Sequence, residues 1–108
     1  MNVALIGSGS WGTAVAGLAA ARTERVTMWA HSEQTAAGIN SEHRNPRYLV
    51  GYELPDNVVA TTELAQALDG ADAIIFAVPS THLRDVCHQA APFIADDAPV
   101  LCLTTSRT

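Results

Sequence analysis

The sequence predicts an α/β protein built on a doubly wound parallel sheet. Short apolar runs alternate with stretches of helical periodicity along the 108 residues, and a glycine-rich turn follows the first apolar run. Such alternation implies parallel strands joined by right-handed crossovers. A hydrophobic share of 48% with 16% charged residues suits a single well-packed domain.

The opening of the chain predicts the first strand and the first helix. Residues 3–6 are a continuous apolar run ended by glycine, which is typical of a strand buried on both faces of a sheet. Residues 10–21 are rich in alanine, the best helix former, and predict the first helix. Trp11, Val15 and Leu18 share one face of this helix.

The middle of the chain predicts two more strands, separated by a helix and a loop. Residues 26–30 and 58–60 predict the second and third strands. Ser32 can cap a short helix over residues 33–39. Residues 40–56 contain two prolines and a glycine, so most of this segment is expected to be loop.

The last part of the chain predicts two helices and two strands. A third helix, capped by Thr61 or Thr62, precedes the clearest apolar run, residues 73–78. An amphipathic fourth helix is closed by Pro92, and residues 100–103 predict a fifth strand. We expect the sheet to be truncated after about five strands, which would leave the fifth strand partly uncovered.

Composition argues against several classes of function. Eleven acidic against six basic residues give a net charge of -5, which speaks against a nucleic-acid partner. Cys87 and Cys102 are too few for a disulfide framework or a zinc site, and neither metal-ligand spacing nor a hydrolase triad is found. Beyond the first helix, the longest fully apolar run is residues 73–78, which has the length of a strand and is too short to span a membrane. We therefore expect a cytoplasmic protein without membrane insertion.

Gly7, Gly9 and Gly12 form the dinucleotide fingerprint G-x-G-x-x-G between the first strand and the first helix. The first glycine permits a tight turn, the second lets backbone approach a pyrophosphate, and the third lets the helix pack closely on the strand. Amides at the helix start favour the negative charge of the phosphates. The motif predicts a Rossmann-like, NAD(P)-binding domain; the alternative is a glycine-rich turn without a ligand.

The end of the second strand bears on the choice of cofactor. NAD-specific proteins place an acid about 20 residues beyond the motif, where it binds the ribose 2′-hydroxyl. This chain has His31 and Ser32 there, and its first acid is Glu33. Without a carboxylate a 2′-phosphate is not repelled, and both side chains can donate hydrogen bonds to it. The spacing therefore favours NADP, or use of both NADP and NAD; alternatively, His31 is an exposed loop residue without a role.

Five motifs occur in order from Asn2 to about Thr104. They are Gly-x-Gly-Ser-Trp-Gly-Thr-Ala at residues 7–14, Val-Thr-Met-Trp-Ala-His at 26–31, Asn-Pro-Arg-Tyr-Leu at 45–49, Leu-Pro-Asp-Asn at 54–57 and Ala-Val-Pro-Ser at 77–80. This set resembles the N-terminal cofactor-binding domain of bacterial NAD(P)-dependent sn-glycerol-3-phosphate dehydrogenases. The resemblance implies reduction of dihydroxyacetone phosphate to sn-glycerol 3-phosphate, for phospholipid synthesis.

The resemblance also implies which residues contact the cofactor. Ser10 and Trp11 would do so at the glycine-rich turn, and His31 and Ser32 would lie near the adenosine ribose. Tyr48 would close on the cofactor from the loop, a role for which spacing alone gives no reason. No residue of the chain is assigned a catalytic role, and no metal is expected.

Three departures from the family pattern limit what the chain is expected to do. The family has Thr-Lys-Gly after the fifth strand, where this chain has Thr104-Thr105-Ser106, so a lysine that touches cofactor and substrate is replaced. Val50 stands where the family has proline. The family's proton-donating lysine and helical substrate domain have no counterpart in residues 1–108.

We therefore expect residues 1–108 to be a partial NAD(P)-binding domain with no substrate domain, inactive alone. A small phosphorylated substrate belongs only to the full-length family, and a homodimer is compatible with this assignment. Two alternatives stay open: a non-catalytic dinucleotide-binding module and an inert gene remnant.

Overall fold

Five parallel strands form one sheet in the computed structural model, which describes residues 1–103. The strands are β1 (Asn2–Ile6), β2 (Arg25–Trp29), β3 (Val58–Thr61), β4 (Ala73–Phe76) and β5 (Val100–Cys102). Their order across the sheet is β3-β2-β1-β4-β5, and all four neighbouring pairs are parallel. The predicted doubly wound, Rossmann-like fold is confirmed.

Helices cover both faces of the sheet. They are α1 (Ser10–Ala20), α2 (Glu33–Glu42), α3 (Leu64–Leu68) and α4 (Ser80–Ala90), with a 3₁₀ turn at Ala91–Phe93. One apolar core joins α1 and α2 to the face of β1 that carries Val3 and Leu5. A second core joins α3 and α4 to the opposite face, which carries Ala4 and Ile6. The period of two along β1 thus divides its side chains between two cores.

Strand β1 is the centre of the sheet, and its end defines where a ligand can bind. Residues 3–6 are at most 5% exposed, as expected for a strand buried on both faces. Ile6 is paired with Trp29 of β2 on one side and with Phe76 of β4 on the other. The chain leaves β1 toward β2 and later returns to β4 on the other side. The order of the strands therefore reverses at the carboxyl ends of β1 and β4, which is where open α/β sheets bind ligands.

Helix α1 packs on the sheet through its smallest residues, and not through the face that carries Trp11 and Leu18. Its buried residues are Gly12, Thr13, Ala16, Gly17 and Ala20. Trp11 is 54% exposed and Leu18 is 73% exposed. A helix that lies close to a sheet has room only for small side chains at the contact, so the large residues of α1 point outward.

Helix α2 is longer than the expected helix over residues 33–39, because it continues to Glu42. Asn40, expected to begin the loop, pairs with the backbone of β3 through two hydrogen bonds of 2.8 Å to Ala60, one donated and one accepted. The helix ends at His43, whose φ of 58° is left-handed. The side-chain pairing with β3 stabilises the extra turn, which propensity alone does not indicate.

The cap of α3 and the ends of β4 and β5 also differ from the expected ones. Glu63 caps α3 in place of Thr61 or Thr62, and the Thr61 hydroxyl instead accepts a hydrogen bond of 3.1 Å from the Glu63 amide. Strand β4 ends at Phe76, two residues before the end of its apolar run, because its neighbour β1 ends at Ile6. Strand β5 ends at Cys102, one residue early.

The fifth strand is poorly covered, as the sequence predicts. All three of its residues are exposed, with Val100 at 47% and Leu101 at 53%.

Among residues 1–103, no helix has both the length and the apolar character needed to cross a membrane.

Glycine is required at the turn that follows β1. Gly7 has a φ of 140°, and a Cβ atom added there would overlap the carbonyl oxygen of Ala77. We expect Gly7→Ala to lower the free energy of unfolding by roughly 2–4 kcal/mol, because the backbone would have to move. The matched control is Gly51→Ala, where an added Cβ meets no atom within 4 Å. Urea denaturation measures both changes, and equal transition midpoints for the two variants would contradict this account.

Candidate functional site

A cleft of about 670 Å³ opens at the carboxyl ends of β1 and β4. Its volume lies within the range of pockets that bind small molecules. The walls come from the glycine-rich turn, the end of β2, the first turn of α2, the loop that follows α2, the segment after β4 and one side of α4. The cleft therefore occupies the crevice that the strand order predicts.

All of the cofactor-binding residues predicted from the sequence line this cleft. They are Gly7, Gly9, Ser10, Trp11, Gly12, His31, Ser32 and Tyr48. The cleft also has lining residues to which the sequence analysis gives no binding role, among them Thr35, Arg47, His82 and Asp85. The structure thus brings the predicted residues together, and their role in binding stays a prediction.

The glycine-rich turn presents open backbone at the start of α1. A Cβ added at Gly9 would meet no atom within 4 Å, so the space beside this residue is free. A Cβ added at Gly12 would lie 3.0 Å from the carbonyl oxygen of Gly7, which confirms that α1 begins in tight contact with the turn. Among the described residues, no side chain caps α1 and its first turn carries no acid. Amides of this kind are suited to bind an anion.

Asn45 joins the loop after α2 to the glycine-rich turn. Its side chain is fully buried, and its Nδ2 donates hydrogen bonds of 2.7 Å to the carbonyl oxygen of Ser8 and 2.9 Å to the Thr13 hydroxyl. Its Oδ1 accepts hydrogen bonds from the backbone amides of Arg47 and Tyr48, at 2.9 and 3.1 Å. One amide therefore fixes both the turn and the loop residues that face it.

The tip of β2 forms another wall of the cleft. The Trp29 indole Nε1 donates a hydrogen bond of 2.9 Å to the carbonyl oxygen of Thr62, which fixes its ring. The ring of His31 lies edge-on to that of Trp29, with 6.0 Å between the centroids. His31 is exposed, and Ser32 is the N-cap residue of α2 without a side-chain capping bond. Both polar side chains are thus placed at the cleft and available to a ligand.

The described residues show no metal centre and no activated nucleophile. No group of three or more potential metal ligands occurs among residues 1–103. Burial, with a smaller contribution from Cys102, raises the pKa of the Cys87 thiol, which therefore stays protonated at neutral pH. Ser80 is the first residue of α4 and follows its cap, Pro79. The replaced family lysine, at Thr104-Thr105-Ser106, lies outside the described residues.

Comparison with known proteins assigns the chain to a family. Residues 2–105 match the family model described as NAD-dependent glycerol-3-phosphate dehydrogenase N-terminus. The chain belongs to this family. It is 43% identical over 103 residues to a glycerol-3-phosphate dehydrogenase [NAD(P)+] of Alcanivorax borkumensis, an alignment that covers 95% of this chain and 30% of the relative. The resemblance drawn from the five sequence motifs is confirmed.

Solved structures of the family have the same fold. The glycerol-3-phosphate dehydrogenase of Saccharomyces cerevisiae superposes with a TM-score of 0.91 at 30% identity, over 97% of this chain and 33% of that one. The enzyme from Coxiella burnetii gives a TM-score of 0.88 at 30% identity, over 96% and 32%. The chain thus spans about a third of the length of these dehydrogenases.

The contribution of the Asn45 side-chain amide to stability can be measured with an isosteric substitution. Asn45→Asp removes both Nδ2 donors and turns a carboxylate toward the Ser8 carbonyl oxygen, so we expect a loss of roughly 2–4 kcal/mol in the free energy of unfolding. Asn40→Asp is the control, because Asn40 is exposed and its Nδ2 makes a single bond, to Ala60. Chemical denaturation at neutral pH compares the two. The account fails if Asn45→Asp is no more destabilising than Asn40→Asp.

Proposed function

We propose that this chain is the dinucleotide-binding part of a glycerol-3-phosphate dehydrogenase, and that NADP or NAD binds in the cleft. The observation that carries the proposal is the glycine-rich turn, whose Gly9 leaves open space beside the uncapped start of α1. The cleft lies at the point where the strand order reverses, as in dinucleotide-binding folds generally. Membership of the family supports the same assignment.

The residues of the cleft fit a dinucleotide along its length. The amides at the start of α1 suit the pyrophosphate, because they have no side-chain partner within the described part of the chain. Ser10 and Trp11 lie beside that position, and His31 and Ser32 suit the adenosine ribose. Tyr48 is held by the Asn45 amide so that it faces the turn from the loop.

In the complete enzyme, a bound nicotinamide would supply the hydride that reduces the ketone carbon of dihydroxyacetone phosphate. The residues of this chain bind and orient the cofactor through the turn, the β2 tip and the loop. Reduction of a ketone also needs a group that polarises the carbonyl and a group that provides a proton. The chain contains no lysine for either task, since all six of its basic residues are arginine.

Binding is tested by blocking the turn without disturbing the fold. Gly9→Val places a branched side chain where the pyrophosphate would lie, and we expect NADPH binding to be abolished. The fold should persist, because an added Cβ meets no atom within 4 Å at this position. Gly51→Val is the matched control, since Gly51 is equally open but does not line the cleft. Fluorescence titration with NADPH measures the affinities, and unchanged affinity in Gly9→Val would sink the proposed site.

Turnover by this chain alone is expected to be absent. We predict no oxidation of NADPH above the substrate-free rate when dihydroxyacetone phosphate is added to the purified 108-residue protein. The Coxiella burnetii relative serves as the positive control in the same absorbance assay. Sustained oxidation by the chain would show that its own residues complete the catalytic site and would contradict the prediction.

The two alternative functions give different outcomes in these experiments. A non-catalytic dinucleotide-binding module binds NADPH tightly and specifically without turnover, alone or with a partner chain. An inert remnant shows no rise in melting temperature with NADPH, because a ligand stabilises a protein only where a site exists. The homodimer, the cytoplasmic location and the small phosphorylated substrate of the full-length family stay predictions.

A further inference from the structure

Arg47 brings the only guanidinium or ammonium group to the part of the cleft that the structure describes. The other described arginines, at positions 22, 25, 44 and 84, do not line it. Asp85, on α4, is the single acidic residue of the lining. A strong cation in a cleft whose other lining residues are two histidines, one acid and uncharged groups is a site for a ligand anion.

The backbone of Arg47 is held by Asn45, and its side chain lies beside the ring of Tyr48. Its backbone amide donates to the Oδ1 of the buried Asn45, and its guanidinium carbon lies 5.9 Å from the centroid of the Tyr48 ring. Among the described residues Arg47 makes no ion pair, whereas Arg44 lies 3.8 Å from the carboxylate of Glu53. The charge of Arg47 is thus not neutralised by a carboxylate of the described chain.

The packing of the loop places Arg47 on the side of the cleft where α2 begins. The preceding residue, Pro46, packs against the middle of α2, since a Cβ added at Gly38 would lie 2.8 Å from its Cδ atom. Thr35, one turn earlier on the same face of α2, lines the cleft together with Arg47. On the other side of Pro46, Asn45 contacts the turn itself, so the loop reaches from the turn to the side of α2 that carries Thr35. The β2 tip, with Ser32, leads directly into α2. This is the end of the cleft where the adenosine ribose of a dinucleotide lies.

We propose that Arg47 binds the 2′-phosphate of NADP(H) and makes the cleft prefer the phosphorylated dinucleotide. The inference rests on the proposed function and adds the selectivity of the cleft for NADP(H) over NAD(H). The pyrophosphate has its own partners in the amides at the start of α1, whereas the β2 tip offers the ribose end no arginine or lysine. An arginine near the ribose accommodates a 2′-phosphate in NADP-binding folds, and here it comes from the loop after α2 rather than from the strand tip.

The test compares NADPH and NADH in Arg47→Gln. We expect the affinity for NADPH to fall roughly 10- to 100-fold, as for loss of a charge-assisted hydrogen bond, while the affinity for NADH stays within about twofold. Arg44→Gln is the matched control, because Arg44 does not line the cleft, and should leave both affinities unchanged. 2′,5′-ADP and 5′-AMP differ only in the 2′-phosphate, so we expect 2′,5′-ADP to be the better competitor for the wild-type protein and to lose that advantage in Arg47→Gln. Circular dichroism verifies that each variant is folded.

The other possible changes in affinity contradict the inference. An equal loss for NADPH and NADH would assign Arg47 to the pyrophosphate, and no loss would remove it from the site. If Arg47→Gln does not fold, the wild-type protein still gives an answer. Salt should weaken NADPH binding more steeply than NADH binding, because an added charge pair is screened, and equal salt dependence overturns the inference. A wild-type chain that binds neither dinucleotide refutes the proposed function itself, which is a different result.

Discussion

Crowding of backbone at the end of β1 is the constraint on which the site depends. Strand β1 is paired on both sides, so the chain must leave it between the ends of two neighbours. The Gly7 amide donates to the Trp29 carbonyl oxygen at 3.2 Å, and the Ala77 amide donates to the Ile6 carbonyl oxygen at 2.8 Å. Space for a side chain is absent between them. The chain therefore turns at once, and α1 begins directly above the carboxyl edge of the sheet.

The buried amide of Asn45 converts that edge into a cleft with two walls. It makes hydrogen bonds to the turn with its nitrogen and to the loop with its oxygen, so the two segments have a fixed relative position. Through this connection the backbone of Arg47 and Tyr48 is held at the cleft. Preorganised groups lose less entropy when they bind a ligand than mobile ones do. Asn45 thus links the stability of the fold to the chemistry of the site.

Sequence reasoning predicted the fold and one wall of the site, because both depend on local patterns. The apolar run of β1 and the spacing of Gly7, Gly9 and Gly12 are local, and the structure has them as expected. The sequence does not indicate that Asn45 connects the loop to the turn, because its hydrogen-bond partners there lie 32 and 37 residues away. The packing face of α1 was also not evident, because hydrophobicity favours Leu18 where the sheet admits only small residues. Tyr48 was found through family resemblance alone.

The loop after α2 is docked on two helices at places where they have no side chain. Pro46 sits against Gly38 of α2, and the Tyr52 hydroxyl sits against Gly17 of α1, where any added Cβ would overlap it. Gly17 does not line the cleft, yet it supports the same loop that carries Arg47. A larger residue at Gly38 would displace Pro46, and one at Gly17 would displace the side chain of Tyr52, so either change disturbs the docking of that loop. Coenzyme preference in this domain is therefore open to mutation from outside the pocket, through positions that a survey of ligand contacts would miss.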